Sequence, residues 1–214
     1  MPNRTIKKIA VLGSGVMGSR IAAHFAGIGL PVLLLDMLPK EIAPDAKTAE
    51  RNKIVNDALA ASIKSNPSPV FHKNVVKKIT TGNFTDNMKD IAGADWIIEV
   101  VVERLDIKQA IFTEVEKYRK PGSLITSNTS GIPIHLMAEG RSDDFKKHFC
   151  GTHFFNPPRY LRLLEIIPTP FTDPGIVDFL MQYGDLYLGK TTVLCKDTPA
   201  FIANRIGVFG MMAI

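Results

Sequence analysis

The stretch that decides the fold runs from Ile6 to Asp36, IKKIAVLGSGVMGSRIAAHFAGIGLPVLLLD. Ile6 to Leu12 is a short apolar strand of the kind buried on both faces. Gly13, Ser14, Gly15, Val16, Met17 and Gly18 follow at once, in the spacing Gly-x-Gly-x-x-Gly. Ser19 to Ile28 carries apolar residues at three- and four-residue intervals, the period of a helix, and Gly29 ends it. Val32 to Leu35 is a second buried strand, with Asp36 at its tip. The three glycines differ in what they allow. Gly13 permits the turn off the strand, Gly15 lets backbone approach a pyrophosphate, and Gly18 lets the helix lie close to the sheet. The helix N-terminus then offers free N–H groups and a partial positive charge to phosphates. Asp36 lies 18 residues after Gly18, near the ~20 at which an acid holds ribose hydroxyls. Its carboxylate repels a 2′-phosphate, so NAD is expected rather than NADP. The alternative these residues leave is a similar domain holding another adenosine ligand, such as S-adenosylmethionine.

Working outward, the pattern alternates. A polar helix spans Asp45 to Ser65, and strands are expected over Val75 to Thr80, Trp96 to Val102 and Ser123 to Ser127. An amphipathic helix covers Arg104 to Tyr118. The fold class is therefore α/β: a Rossmann-type doubly wound, mostly parallel sheet with both faces covered. After His148 two strands, Phe149 to Phe155 and Leu161 to Ile167, flank a Pro-containing turn; a helix from Pro174 to Leu188 and a strand from Thr191 to Cys195 follow. Pro199 opens a last apolar helix that meets no stop signal. Residues 1–198 are thus expected to form the nucleotide-binding domain. Residues 199–214 are expected to be the first helix of a truncated C-terminal helical domain.

Composition narrows the class. The chain has 214 residues, 45% hydrophobic and 22% charged, with a formal charge of +5. That excess suits an anionic small molecule. No basic block is interleaved with aromatics, so a nucleic-acid partner is not expected. No apolar run reaches the ~20 residues of a membrane helix. Cys150 and Cys195 are the only cysteines; they read as buried inert thiols in a reducing cytoplasm. No His/Cys/Asp/Glu cluster has metal-ligand spacing.

A second constellation lies in His153 to Glu165, HFFNPPRYLRLLE. If the turn centres on Arg159, His153 and Glu165 are equidistant from it and face each other across two antiparallel strands. A glutamate beside an imidazole fixes its tautomer and stabilises the imidazolium, which makes a general base; a structural His–Glu pair is the other reading. The remaining histidines, His24, His72, His135 and His148, read as surface or packing residues.

Taken together, GSGVMG, Glu99 to Lys108 (EVVVERLDIK), Ser127 to Ser130 (SNTS), His153 to Pro157 (HFFNP), Glu165 and Asp197 to Arg205 (DTPAFIANR) resemble the L-3-hydroxyacyl-CoA dehydrogenases, in the same order and over essentially the whole chain. The resemblance is greatest to the bacterial type fused to an enoyl-CoA hydratase in fatty-acid β-oxidation. It implies NAD as cofactor, an acyl-CoA substrate, and oxidation of the 3-hydroxyl. It implies His153 as the base, Glu165 as its orienting partner, and Ser130 and Asn204 as hydrogen-bonding residues around the substrate oxygen and the histidine. Asn156 supports the same substrate site, and Glu103 and Lys108 lie near the nicotinamide and ribose. It also implies a homodimer through the C-terminal domain, and poor turnover without that domain. From the residues alone, Ser130 also reads as the N-cap of a helix over Ile132 to Met137. Arg104 and Gly131 depart from the family's pattern, and Ala61 stands where the family has a basic CoA contact. Two other functions are open: an NAD-binding module without its own catalysis, and a dehydrogenase of another 3-hydroxy acid.

Overall fold

The structure, a computed structural model, describes residues 4–213. Its elements in chain order are β1 (Ile9–Leu12), α1 (Val16–Gly27), β2 (Val32–Asp36), α2 (Thr48–Arg51), α3 (Lys53–Lys64), β3 (Ile79–Asn83), α4 (Phe84–Asn87), β4 (Trp96–Glu99), α5 (Leu105–Tyr118), β5 (Leu124–Ser127), α6 (Ile134–Ala138), α7 (Asp143–Lys147), β6 (Phe149–Phe154), β7 (Leu163–Pro168), α8 (Pro174–Leu186), β8 (Thr191–Leu194) and α9 (Ala203–Met212). Eight strands form one sheet in the order β3-β2-β1-β4-β5-β6-β7-β8. The first six are mutually parallel, β7 turns back antiparallel on β6, and β8 runs parallel to β7.

Period two explains the layers. Along β1, Ile9 and Val11 face one side of the sheet with α1, α3 and α8, while Ala10 and Leu12 face the other with α5, α6 and α7. Both faces are covered, so the central strands are buried at every position rather than at alternate ones. Among the described residues no helix is long and apolar enough to cross a membrane.

The close approach of α1 to β1 depends on two glycines. A Cβ on Gly18 would sit 1.8 Å from the Gly13 carbonyl oxygen, and one on Gly13, whose φ is +106°, would sit 2.5 Å from the Val100 oxygen. A Cβ on Gly15 would meet nothing within 4 Å.

Several expected boundaries move, each for a local reason. The polar helix over Asp45 to Ser65 is two helices, because Asn52 turns inward and its Oδ1 accepts a hydrogen bond from Asn83 Nδ2 at 2.7 Å. The strand expected over Val75 to Thr80 begins at Ile79. Before it, Lys73–Lys78 coil into a 3-10 turn capped by the His72 side chain, which accepts from the Asn74 amide. β4 stops at Glu99, where the Val101 amide bonds the Glu99 carboxylate instead of a neighbouring strand. The last helix opens at Ala203, not Pro199, because Ala200 (φ 61°) and Phe201 (φ 48°) turn the chain through the left-handed region first. Its expected final residue, Ile214, lies outside the described residues. Ser130 caps no helix: α6 starts at Ile134 behind Pro133. His135, expected to be a surface or packing residue, pairs its Nδ1 with Asp197 at 2.7 Å, and His148 Nδ1 lies 3.4 Å from Asp144. The two cysteines are free and buried.

Two outcomes follow from this packing. Gly18→Ala forces backbone apart and should destabilise by about 1–3 kcal/mol, whereas Gly15→Ala should stay within about 0.5 kcal/mol, as an open surface change does; urea unfolding of both variants measures the contrast. The second concerns His24 on α1, whose Nε2–H donates to the Leu188 carbonyl at 3.1 Å. Burial, joined by the charge of Lys190, lowers its pKa from 6.5 to about 4 against the opposing Leu188 bond. The folded value lies below the unfolded one, so the unfolded chain takes the proton first. This contribution is present above pH 6.5 and is lost as pH falls toward 4, by at most about 3 kcal/mol. His24→Gln should flatten that part of the stability profile between those two values.

Candidate active site

Parallel strands deliver their C-terminal tips to one edge. Leu12 of β1 is in register with Leu35 of β2 on one side and Glu99 of β4 on the other, and Glu99 is in register with Ser127 of β5. The glycine turn, Asp36, Glu99, the Ser127–Ser130 loop and His153 therefore gather at the carboxyl edge, where ligands of open α/β sheets sit.

The glycine turn is shaped for an anion. α1 begins at Val16 with Gly15 as its N-cap, and no side chain caps its first amides. Over them lies the open space above Gly15. Asp36 is held in place: its Oδ2 accepts from the Ser14 amide at 2.6 Å and the Ser14 hydroxyl at 2.5 Å, and its Oδ1 from the Met37 amide at 2.7 Å. An uncapped helix N-terminus beside a fixed carboxylate matches a pyrophosphate followed by a ribose.

The histidine stands on the hairpin as the sequence places it. His153 and Glu165 are register partners on β6 and β7. Nδ1 lies 2.7 Å from Glu165 Oε2, with both side chains buried. A carboxylate accepts only, so Nδ1 donates, and in the neutral ring the lone pair is on Nε2. Nε2 has no hydrogen-bond partner among the described residues. Phe155 and Phe201 flank the ring, at 4.3 and 5.8 Å between centroids. The other oxygen, Oε1, accepts from the Ile202 amide at 3.1 Å and the Ala203 amide at 2.8 Å. Glu165 thus caps α9 and orients His153 together. The hairpin tip is anchored from below: Lys190, almost fully buried, donates to the Leu161 carbonyl at 2.8 Å and to that of Pro158. Arg159 donates to the carbonyls of Ser68 and Val70.

The third part is a loop clamp. Glu103 Oε1 accepts from the Ser130 amide at 2.8 Å, the Gly131 amide at 3.2 Å and the Thr129 hydroxyl. Burial pushes the Glu103 pKa up, but the Thr129 hydroxyl, the Lys108 charge and the Ser130 amide together hold it below the usual carboxylate range. Lys108 is buried, its Nζ 2.8 Å from Glu99 and 3.3 Å from Glu103. Asn204 Nδ2 donates to the Ser130 carbonyl at 3.2 Å. Ser130, Asn204, Glu103 and Lys108 are therefore brought together. Asn156 stands apart, its Oδ1 accepting from Arg20 of α1 at 2.5 Å. The sequence alone assigns no role to Arg20, to Glu99 or to Asn128, whose Oδ1 accepts from the Phe154 amide beside His153. Glu99 leaves one signal, a charge inside the apolar run WIIEVVV.

Comparison with known proteins decides the lineage. Residues 8–198 match the family model described as 3-hydroxyacyl-CoA dehydrogenase, NAD binding domain. The chain belongs to this family. Its cofactor is NAD, and the glycine turn and Asp36 are the residues whose geometry fits it. The chain is similar to a Bacillus subtilis protein carrying the name probable 3-hydroxyacyl-CoA dehydrogenase, 51% identical over 98% of this chain and 28% of that protein. It is similar also to the human protein named hydroxyacyl-coenzyme A dehydrogenase, mitochondrial, 32% identical over 94% of this chain and 62% of that one. Among solved structures it resembles the 3-hydroxybutyryl-CoA dehydrogenase of Escherichia coli, with a TM-score of 0.72 and 30% identity over 95% of this chain and 41% of the other. This NAD-binding domain chain spans between about a quarter and two thirds of the length of these relatives.

The Glu165 arrangement predicts a specific loss. Glu165→Ala leaves the Ile202 and Ala203 amides and the His153 Nδ1–H without a partner, and should cost about 2–5 kcal/mol. Hydrogen exchange should show those two amides losing protection while the centres of β1 and β4 keep theirs.

Proposed function

We propose that this chain oxidises L-3-hydroxyacyl-CoA to 3-oxoacyl-CoA with NAD, in fatty-acid β-oxidation, with His153 as general base. The observation that carries the reading is the buried Nδ1–Oε2 pair of His153 and Glu165, with Nε2 unpartnered among the described residues at the same sheet edge as the uncapped glycine turn. When bound, NAD supplies the hydride acceptor. His153 Nε2 takes the proton of the 3-hydroxyl as the C3 hydride departs, and the Glu165 carboxylate stabilises the imidazolium that forms. Ser130, exposed beside Asn204, supports the substrate oxygen as it becomes a carbonyl. Glu103 and Lys108 support the nicotinamide and ribose side, and Asn156, tied by Arg20, borders the substrate. The net positive charge suits an anionic CoA ester.

The apolar residues that α9 exposes, among them Ile206, Phe209, Met211 and Met212, suit the opening helix of a further helical domain, through which a homodimer would form. The relatives' greater length supports that reading. Named kin include a Rickettsia felis protein carrying the name putative fatty acid oxidation complex trifunctional enzyme, and an enoyl-CoA hydratase domain in the same polypeptide belongs to the same proposal.

The test is NADH formation from L-3-hydroxybutyryl-CoA, followed by absorbance. His153→Ala should lower turnover by about 10²–10⁴-fold and leave NAD affinity unchanged in calorimetry. Asp36→Ala should narrow the preference for NAD over NADP. A His153→Ala variant with undiminished rate makes the hairpin pair structural and ends the proposal. A protein that also carries the proposed helical domain and binds NAD without turnover is a binding module instead.

A further inference from the structure

Glu99 ends β4 with no solvent exposure at all. Its Oε1 accepts from Lys108 Nζ at 2.8 Å and the Val101 amide at 2.7 Å, and its Oε2 accepts from the Ser127 hydroxyl at 2.5 Å. Lys108 and the Val101 amide can only donate, so Oε1 is an acceptor for both. Burial raises its pKa above the usual carboxylate range, and Lys108, Ser127 and the Val101 amide oppose that rise only in part. From this carboxylate two routes lead to one loop. Through Ser127, the Oγ accepts from the Thr129 amide at 3.2 Å. Through Lys108, the cation lies 3.3 Å from Glu103, which in turn gathers Thr129, Ser130 and Gly131.

Stability alone gives no reason for this charge. A buried ion pair replaced by apolar groups of similar volume is often neutral or stabilising, whereas removing one partner leaves an uncompensated charge. An apolar residue would continue the run WIIEVVV without that burden. What the pair does that an apolar residue does not is hold a cation under Glu103 and a hydroxyl under Thr129.

We infer that Glu99 is a positioning residue for cofactor binding: without touching NAD, it fixes Lys108 and Ser127 and thereby sets the 129–131 loop and Glu103 against the cofactor. The inference rests on the reading that this loop borders NAD.

The experiment uses the full chain, with NADH titrated by fluorescence and unfolding followed by temperature. Glu99→Gln and Lys108→Met should each lower Tm, because each strands a buried group. The double variant Glu99→Gln/Lys108→Met should recover Tm toward the unmodified protein, yet its NADH Kd should remain raised about tenfold, the scale of one lost charge-assisted contact. Ser127→Ala keeps the ion pair but leaves Glu99 Oε2 without its donor, so it should raise Kd by a smaller factor and lower Tm less than the single charge variants do. A double variant that recovers both Tm and NADH affinity overturns the inference. If the double variant does not fold, unchanged NADH affinity in Ser127→Ala overturns it. No CoA ester enters the titration, so failure of the substrate reading would leave this result standing.

Discussion

Burial of the sheet on both faces is the constraint from which the rest follows. Strands such as Ile9–Leu12 and Trp96–Glu99 are enclosed along their whole length, so polar groups have no outlet on either face. They collect where the strands end. Because β1 to β6 are parallel, the ends that carry Asp36, Glu99, Ser127 and His153 fall on one edge. A single packing requirement therefore assembles the cofactor turn, the loop clamp and the histidine without any of them being adjacent in sequence. The same requirement makes Gly13 and Gly18 indispensable, since α1 covers the first strand only if backbone meets backbone there.

Carboxylates do the fastening at this edge. Asp36 joins β2 to the glycine turn, Glu103 gathers the 129–131 loop, and Glu165 ties the hairpin to α9. Each accepts backbone amides that would otherwise be unpaired near the end of an element. A carboxylate offers two acceptor oxygens and, when ionised, no donor, so it takes more donors than an amide of the same size, which has one acceptor oxygen. That capacity suits it to hold two segments at a fixed angle here.

Most of the fold and much of the site are legible in the sequence, and the exceptions share a cause. Apolar runs and the Gly-x-Gly-x-x-Gly spacing are local signals, so β1, α1, β2 and Asp36 can be read directly. The His153–Glu165 register is readable because a hairpin turn converts sequence distance into spatial position. Asn52, Ser130 and the start of α9 escape such a reading because long-range partners decide them: Asn83 draws Asn52 inward, Glu103 holds Ser130, and Glu165 takes the first amides of α9. The role given to Glu99 also needs three dimensions, since Lys108 and Ser127 come to it from α5 and β5. The placement of NAD by family resemblance and by the glycine turn agree because both rest on the same residues.

The reach of Glu165 bears on modularity. The family match closes at residue 198, yet the carboxylate that orients His153 is completed by the Ile202 and Ala203 amides. A recombination event or an engineer's splice placed at that nominal border would leave the nucleotide-binding unit intact in outline but with its histidine insecurely aimed. A splice that spares both this carboxylate and the loop clamp lies beyond Asn204, whose Nδ2 holds the Ser130 carbonyl. The structural unit around His153 therefore extends past the sequence signature that marks it.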